Sequence, residues 1–249
     1  MVEREPEPDV APDWRRAPEE GRLGVASTFD VGLGRAIHAA LRGWQAAVDA
    51  GGPRDPAALV AAVLQAARQA RLDPDHLARA EPDLTRELTT YASGPWPALP
   101  TLALEHSARH LLRGDGVDVE VAIRVDRVVA YGDGVAVIDF KTVPPHRLQL
   151  LTYEWQLQVY ALGIDDVLGR PEGPVSLFII DIRRGVELRV DARRTALTAA
   201  RRRVLACAGA IVTGDFRLGQ AHRARPCWSC GFRLTCPRSL ATDPPRALA

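Results

Sequence analysis

The sequence predicts an α/β fold, a mixed sheet flanked by helices. Three observations point to it. Ala-rich stretches with apolar residues every three or four positions fill much of the first hundred residues. Two Gly-Asp-Gly triplets, at 114–116 and 132–134, then separate three β-type runs, supplying the positive φ that tight hairpins need. A helical segment and two more strand-like runs follow, so the order is helices, then β-β-β-α-β-β, then a last helix.

Element by element, residues 1–27 are an acidic, Pro-rich lead-in with no basic-then-apolar signal, expected to be disordered. A helix is expected from about Gly32, where Ile37, Leu41 and Trp44 recur at helical spacing, with Asp30 as its cap. Pro56 to Arg71 and Asp75 to Ala92 are further helices, the first with proline at its opening. Pro95, Pro97 and Pro100 break the chain. Strands are expected at Thr101 to Leu112, Val117 to Tyr131 and Val135 to Thr142. A helix over Leu148 to Leu162, strands at Val175 to Ile182 and Val186 to Val190, and a helix from Asp191 to near Gly214 complete the order. The organisation expected is one domain over 28–240: a helical region (28–100), sheet and helix (101–190), and an Arg-rich helix with a cysteine segment (191–240). Residues 241–249 form a tail.

Composition bounds the function. Of 249 residues 47% are hydrophobic and 25% charged, ordinary for a globular chain with a sizeable core. No apolar run reaches membrane-span length, so no membrane partner is expected and the location expected is cytoplasmic. The net charge of +1 argues neither for nor against nucleic acid. Its distribution says more: residues 193–238 are rich in arginine and hold one acid, Asp215, which makes either a footprint for phosphates or a solvated basic face.

The 32 cationic side chains include a single lysine, Lys141. Arginine replaces lysine easily on a surface but not where a compact ammonium is needed, because guanidinium is wide and planar. Lys141 stands two residues after Asp139 on a strand-like run, so the two side chains share a face, and Phe140 points the other way. Asp126 ends Ile-Arg-Val-Asp on the preceding strand, at or just off the matching end of the hairpin. Two carboxylates with an ammonium beside them suit a hard divalent cation and a phosphoryl group; the plainer alternative is a pair of hairpin acids with a salt-bridged lysine.

All four cysteines follow residue 200. Cys227, Cys230 and Cys236 have C-x2-C-x5-C spacing, which without a secretory signal suggests metal or iron–sulfur ligation rather than disulfides. Cys207, between Leu205 and Ile211, is expected to be a buried thiol packing as a small hydrophobe.

Asp126…Asp139-Phe140-Lys141 resembles the signature of the PD-(D/E)XK nucleases, in the form of the RecB-like domains. Gly34-x-x-x-His38 is similar to that group's first-helix motif, and Gln156-Leu157-Gln158-Val159-Tyr160 to its Gln-x-x-x-Tyr motif. Cys227, Cys230 and Cys236 resemble the C-terminal cysteines of the AddB-like and CRISPR-adaptation branches, and Glu105 stands roughly where an acid precedes the first aspartate. The resemblance runs from about Gly32 to Pro237 and implies the αβββαβ core of that superfamily and Mg²⁺- or Mn²⁺-dependent hydrolysis of DNA. It implies a metal held by His38, Asp126, Asp139 and the Phe140 carbonyl, Lys141 positioning the attacking water, and Gln156 and Tyr160 steadying the lysine or touching the substrate. It further implies an exonuclease-type activity in repair or recombination, acting on single-stranded DNA beside a separate helicase, or a role in CRISPR adaptation. A catalytically idle nucleic-acid-binding module and a structural cysteine–metal protein are the rival classes.

Two departures accompany the resemblance. A [4Fe–4S] cluster takes four thiolates, and relatives draw one from before the first helix, where this chain has none. Cys207 as a fourth ligand, Zn²⁺ in place of the cluster, or no metal there all stay open. The second departure is Ile123, three residues before Asp126, where the family has a small residue; its bulk is expected to crowd the substrate path.

Overall fold

The computed structural model describes residues 28–214 apart from 115, 143–146, 170 and 184. Cys227, Cys230 and Cys236, the lead-in and the tail lie outside the described residues. The helical region comprises α1 (Thr28–Asp49), α2 (Pro56–Gln69) and α3 (Pro74–Ser93). Asp30 lies within the first turn of α1 and does not cap it, because the helix begins two residues earlier than the apolar spacing indicates. The next two helices start as their sequences dictate. Asp55 accepts from the Ala57 N–H and Asp73 from the His76 N–H, each followed by a proline whose missing N–H costs nothing at that position.

A single 3₁₀ turn (Trp96–Ala98) leads into β1 (Thr101–Gly114), β2 (Val117–Tyr131) and β3 (Gly134–Lys141). Then come α4 (Arg147–Leu162), the short α5 (Ile164–Leu168), which the sequence pattern does not announce, β4 (Val175–Asp181), β5 (Val186–Val190) and α6 (Arg194–Val212). The sheet runs β1-β2-β3-β4-β5, antiparallel except for the parallel β3–β4 pair that α4 and α5 connect. The expected mixed five-stranded α/β sheet flanked by helices is what the chain forms. By its contacts the chain divides into Met1–Leu205 and Ala206–Ala249.

Each face of the sheet has its own core. Ala136, Ile138 and Phe140 of β3 join Phe178, Ile180 and α1–α3 residues such as Ile37, Leu59 and Leu88. Val135 and Val137 turn the other way, to Leu177, Ile179 and Leu157 of α4. The alternation of β3 thus decides which residues meet which helices, and it sends Asp139 and Lys141 toward α4.

Where the pairing of β2 and β3 stops makes the site. The register of β2 with β1 runs from Val117 to Val129, but only Arg127 to Tyr131 pair with β3. From Asp126 back toward Val117, β2 has left β3, so the two strands fork. Alternation also breaks at the fork. Val125 packs with the α4 cluster, yet Arg127, two residues on, donates to the Trp96 and Leu99 carbonyls and to Thr101 Oγ1. On a regular strand both would share a face.

Candidate active site

Asp126 fills the fork. With no β2 backbone opposite it, the Phe140 N–H donates instead to Asp126 Oδ2 at 2.8 Å. The Lys141 carbonyl accepts from the N–H of Ile182, the residue just past β4. In a parallel ladder that pattern turns residues 139 and 141 to β4 and the Phe140 peptide groups toward β2, into the fork. The Phe140 carbonyl expected as a ligand is therefore on the open side.

Glu105 lies opposite Asp126, between the ladder pairs Leu104–Arg127 and His106–Val125. Its backbone is left-handed, at φ 48°, a strained state for glutamate that is typical of functional positions. Its Oε2 accepts from Arg124 Nε at 3.0 Å and Nη2 at 2.5 Å, while Oε1 lies 3.8 Å from His38 Nδ1. His38 Nδ1 is also 3.7 Å from Asp126 Oδ2. These separations are too long for hydrogen bonds. They fall between the ~3 Å of neighbouring and ~4 Å of opposite donors around a cation with octahedral bonds of about 2.1 Å. One imidazole and two carboxylates thus converge, with donor atoms within 4.8 Å of one another. Oxygen-rich, with a single nitrogen, the set fits Mg²⁺ or Mn²⁺. Glu105 is the member whose geometry no sequence pattern signals.

Glycine at 34 brings His38 here. A Cβ at that position would come within 2.8 Å of Thr142 Oγ1, just past β3, so only glycine lets α1 lie this close to the strand end.

Lys141 and Asp139 sit on the other side of the fork. Asp139 is 4% exposed, and its Oδ2 lies 2.5 Å from Lys141 Nζ in an ion pair. Lys141 also donates a long 3.4 Å bond to Gln156 Oε1, and Gln156 Nε2 in turn donates to Tyr160 Oη at 2.6 Å. Tyr153, one turn before Gln156, lays its ring 4.0 Å from the ammonium. So one face of α4 (153, 156, 160) cradles the lysine. Tyr153 follows from the same spacing as the Gln156–Tyr160 pair, although no motif marks it.

The charges are crowded. Burial first, then the neighbouring Asp139 carboxylate, push Asp126 up to about 6, against the pull of His38 and the Phe140 N–H. Burial also raises Asp139, with Lys141 opposing. Two adjoining carboxylates that resist ionising together are relieved by a cation.

All these groups line one cleft of about 550 Å³, whose walls also include Asp30, Arg35, Arg42 and Thr142. Two expectations change. Ile123 is buried, and its Cδ1 packs at Gly163, before α5, so its bulk faces away from the cleft. Cys207 is exposed on α6, not buried. Of the Arg-rich segment, Arg193 pairs with Asp191, Arg201 donates to the Arg113 carbonyl and Arg203 lies over the Trp155 ring, and none of them lines the cleft.

No curated protein matches the chain. A solved structure, that of SSO0001, is similar at 18% identity and a TM-score of 0.38, over 70% of this chain and 76% of its own. A model of the PD-(D/E)XK nuclease superfamily matches residues 15–237. The chain belongs to the PD-(D/E)XK nuclease superfamily, whose members are generally nucleases that use divalent metals.

Proposed function

We propose that this protein hydrolyses DNA phosphodiesters with Mg²⁺ or Mn²⁺ at the fork between β2 and β3. The observation that carries this reading is the meeting of His38, Glu105 and Asp126 beside the cradled Lys141 in one cleft. His38, Asp126, Asp139, the Phe140 carbonyl and Glu105 would hold the cation, which when bound offsets negative charge on the phosphoryl oxygens. In the reaction a water oxygen forms a new bond to phosphorus. A bridging P–O bond breaks, leaving a phosphomonoester and a free hydroxyl. Lys141, fixed by Asp139, Gln156 and Tyr153, directs its N–H bonds to the attacking water and to the phosphoryl group. Gln156 and Tyr160 keep the ammonium from following the substrate out.

The finer reading is a RecB-like, exonuclease-type enzyme of recombinational repair that takes single strands from a separate helicase. The Gly34–His38 and Gln156–Tyr160 motifs support it. Cys227, Cys230 and Cys236, with Cys207 the candidate fourth ligand, would hold a [4Fe–4S] cluster or Zn²⁺, which iron and zinc analysis of anaerobically purified protein tells apart.

The decisive assay follows labelled single- and double-stranded DNA with Mg²⁺, Mn²⁺ or chelator, for the natural chain and Lys141→Ala. Metal-dependent cleavage lost in the variant is expected. Equal cleavage by both, or none by either, ends this reading.

A further inference from the structure

The cleft is lined by four acids (Asp30, Glu105, Asp126, Asp139) and four permanent cations (Arg35, Arg42, Arg124, Lys141). The cations are not equivalent. Arg124 is held by Glu105, and Lys141 by Asp139. Arg35 and Arg42 enter no hydrogen bond or ion pair among the described residues, although both are exposed in a cleft that holds carboxylates. They stand on the cleft face of α1, seven residues apart, which is two turns or about 10 Å along the axis. His38 lies between them.

We infer that Arg35 and Arg42 are two phosphate subsites flanking the scissile one, gripping the same DNA strand on either side of the bond that is cut. The inference rests on the hydrolytic reading above and extends it to the form of substrate and product. The reasoning is electrostatic. A polyanion entering a cleft with carboxylates at its floor is repelled unless cations are free to meet it. Cations already paired with the protein's own acids contribute little of this, whereas Arg35 and Arg42 have no acid partner among the described residues. Because His38 contributes to the metal site between them, the central phosphate sits at the cation. The arginines then reach its neighbours on each side.

A two-sided grip has a consequence for the mode of cutting. Full occupancy requires a phosphate beyond the scissile one in both directions. A terminal nucleotide that ends in a hydroxyl cannot supply it, so the first product released from such an end is a dinucleotide or longer.

The test uses the full chain, Arg35→Gln, Arg42→Gln and the double variant. Binding of a fluorescein-labelled single-stranded 16-mer is read by anisotropy with Ca²⁺ across a salt series, and product lengths are read on sequencing gels with Mg²⁺. Unchanged circular dichroism and melting show that the exposed substitutions leave the fold intact. Each variant is expected to bind several-fold more weakly, with the salt slope smaller by about 0.7 per arginine removed. Arg→Lys at either position should recover most of the loss, since a phosphate accepts a point charge. The first product that the natural chain releases from a 16-mer with a hydroxyl at its unlabelled end should be a dinucleotide or longer. If the natural chain cleaves but the double variant keeps its affinity and salt slope, or if that first product is a mononucleotide, the flanking subsites are wrong and the hydrolytic reading stands. If the natural chain neither binds nor cleaves, both fall.

Discussion

Asp126 and Arg127 are neighbours on one strand, and both charges are largely buried, yet they are treated in opposite ways. Arg127, 0% exposed, reaches Thr101 Oγ1 at 2.9 Å and the Trp96 and Leu99 carbonyls at 2.9 and 2.8 Å. It clamps the 3₁₀ turn to the closed half of the hairpin, where β2 and β3 stay paired. Asp126, in the forked half, has one backbone N–H and two crowding carboxylates, Asp139 and Glu105. The closed half answers its buried charge from within the protein. The forked half leaves its charge to be answered from outside. The protein therefore concentrates its electrostatic stress where a cation is wanted, and stiffens the residue beside it so that the stress cannot relax.

The largest effect should come from the forked half. Lys141→Arg keeps the charge but not the shape. A guanidinium cannot replace an ammonium between Asp139, Gln156 and the Tyr153 ring, so kcat is expected to drop roughly 10²- to 10⁴-fold with melting little changed. Near-natural turnover would show that the cradle does not select for lysine.

Next is the closed half. Arg127→Leu strands two backbone carbonyls and one hydroxyl in a dry site, for a loss of about 2–4 kcal/mol and a fall in melting temperature of roughly 5–10 °C. A melting curve that overlays the natural one would mean the clamp contributes nothing.

A third experiment sets the two halves against each other through pH. Asp126 has a folded pKa of about 6, above the 3.8 usual for an aspartate. The folded state therefore holds a proton that the unfolded state releases, and without cation the stability falls as pH rises from about 4 to 6, then levels. About two units correspond to roughly 3 kcal/mol. Asp126→Asn should melt higher than the natural chain at pH 7 in chelator and lose the stabilisation that Mn²⁺ gives. If the order of melting temperatures at pH 7 is reversed, the carboxylate is not under stress.

The smallest effect expected is at the hinge between α1 and β3. Gly34→Ala should weaken Mn²⁺ binding roughly tenfold by pushing His38 away, and Thr142→Ala in the same chain should restore much of it, because the clash is with Oγ1. Calorimetry on the four chains of the cycle reads this directly; additive losses would refute a steric link.

Much of this was legible in the chain. The Gly-Asp-Gly turns mark the hairpins, and Gly132 and Gly116 do adopt positive φ, at 58° and 73°. Alternation along β3 correctly divides Phe140 from Asp139 and Lys141, because period two is a local property. What stayed hidden depends on contacts between distant segments. The fork arises because β2 and β3 stop pairing at Arg127 and Ile138 although both strands run on, and strand lengths alone do not say where pairing stops. The resemblance marks Glu105 as an acid before Asp126, but it turns in through a left-handed backbone that glutamate rarely adopts and no propensity announces. Arg35 and Arg42 look like any solvated helix arginines until α1 is seen on the cleft. Ile123 reads as an obstacle because the resemblance expects a small residue there; that its side chain packs at Gly163 depends on a distant segment.

Arg127 also guards the register of the hairpin while the chain folds. A slip of one residue between β2 and β3 would move its guanidinium to the opposite face, among Val137, Leu157 and Leu177, where no acceptor awaits it. Slipped pairings, which an otherwise Val-rich strand would tolerate, are thus driven out of the ensemble. Every molecule that completes folding then carries Asp126 one position before the clamp, at the mouth of the fork.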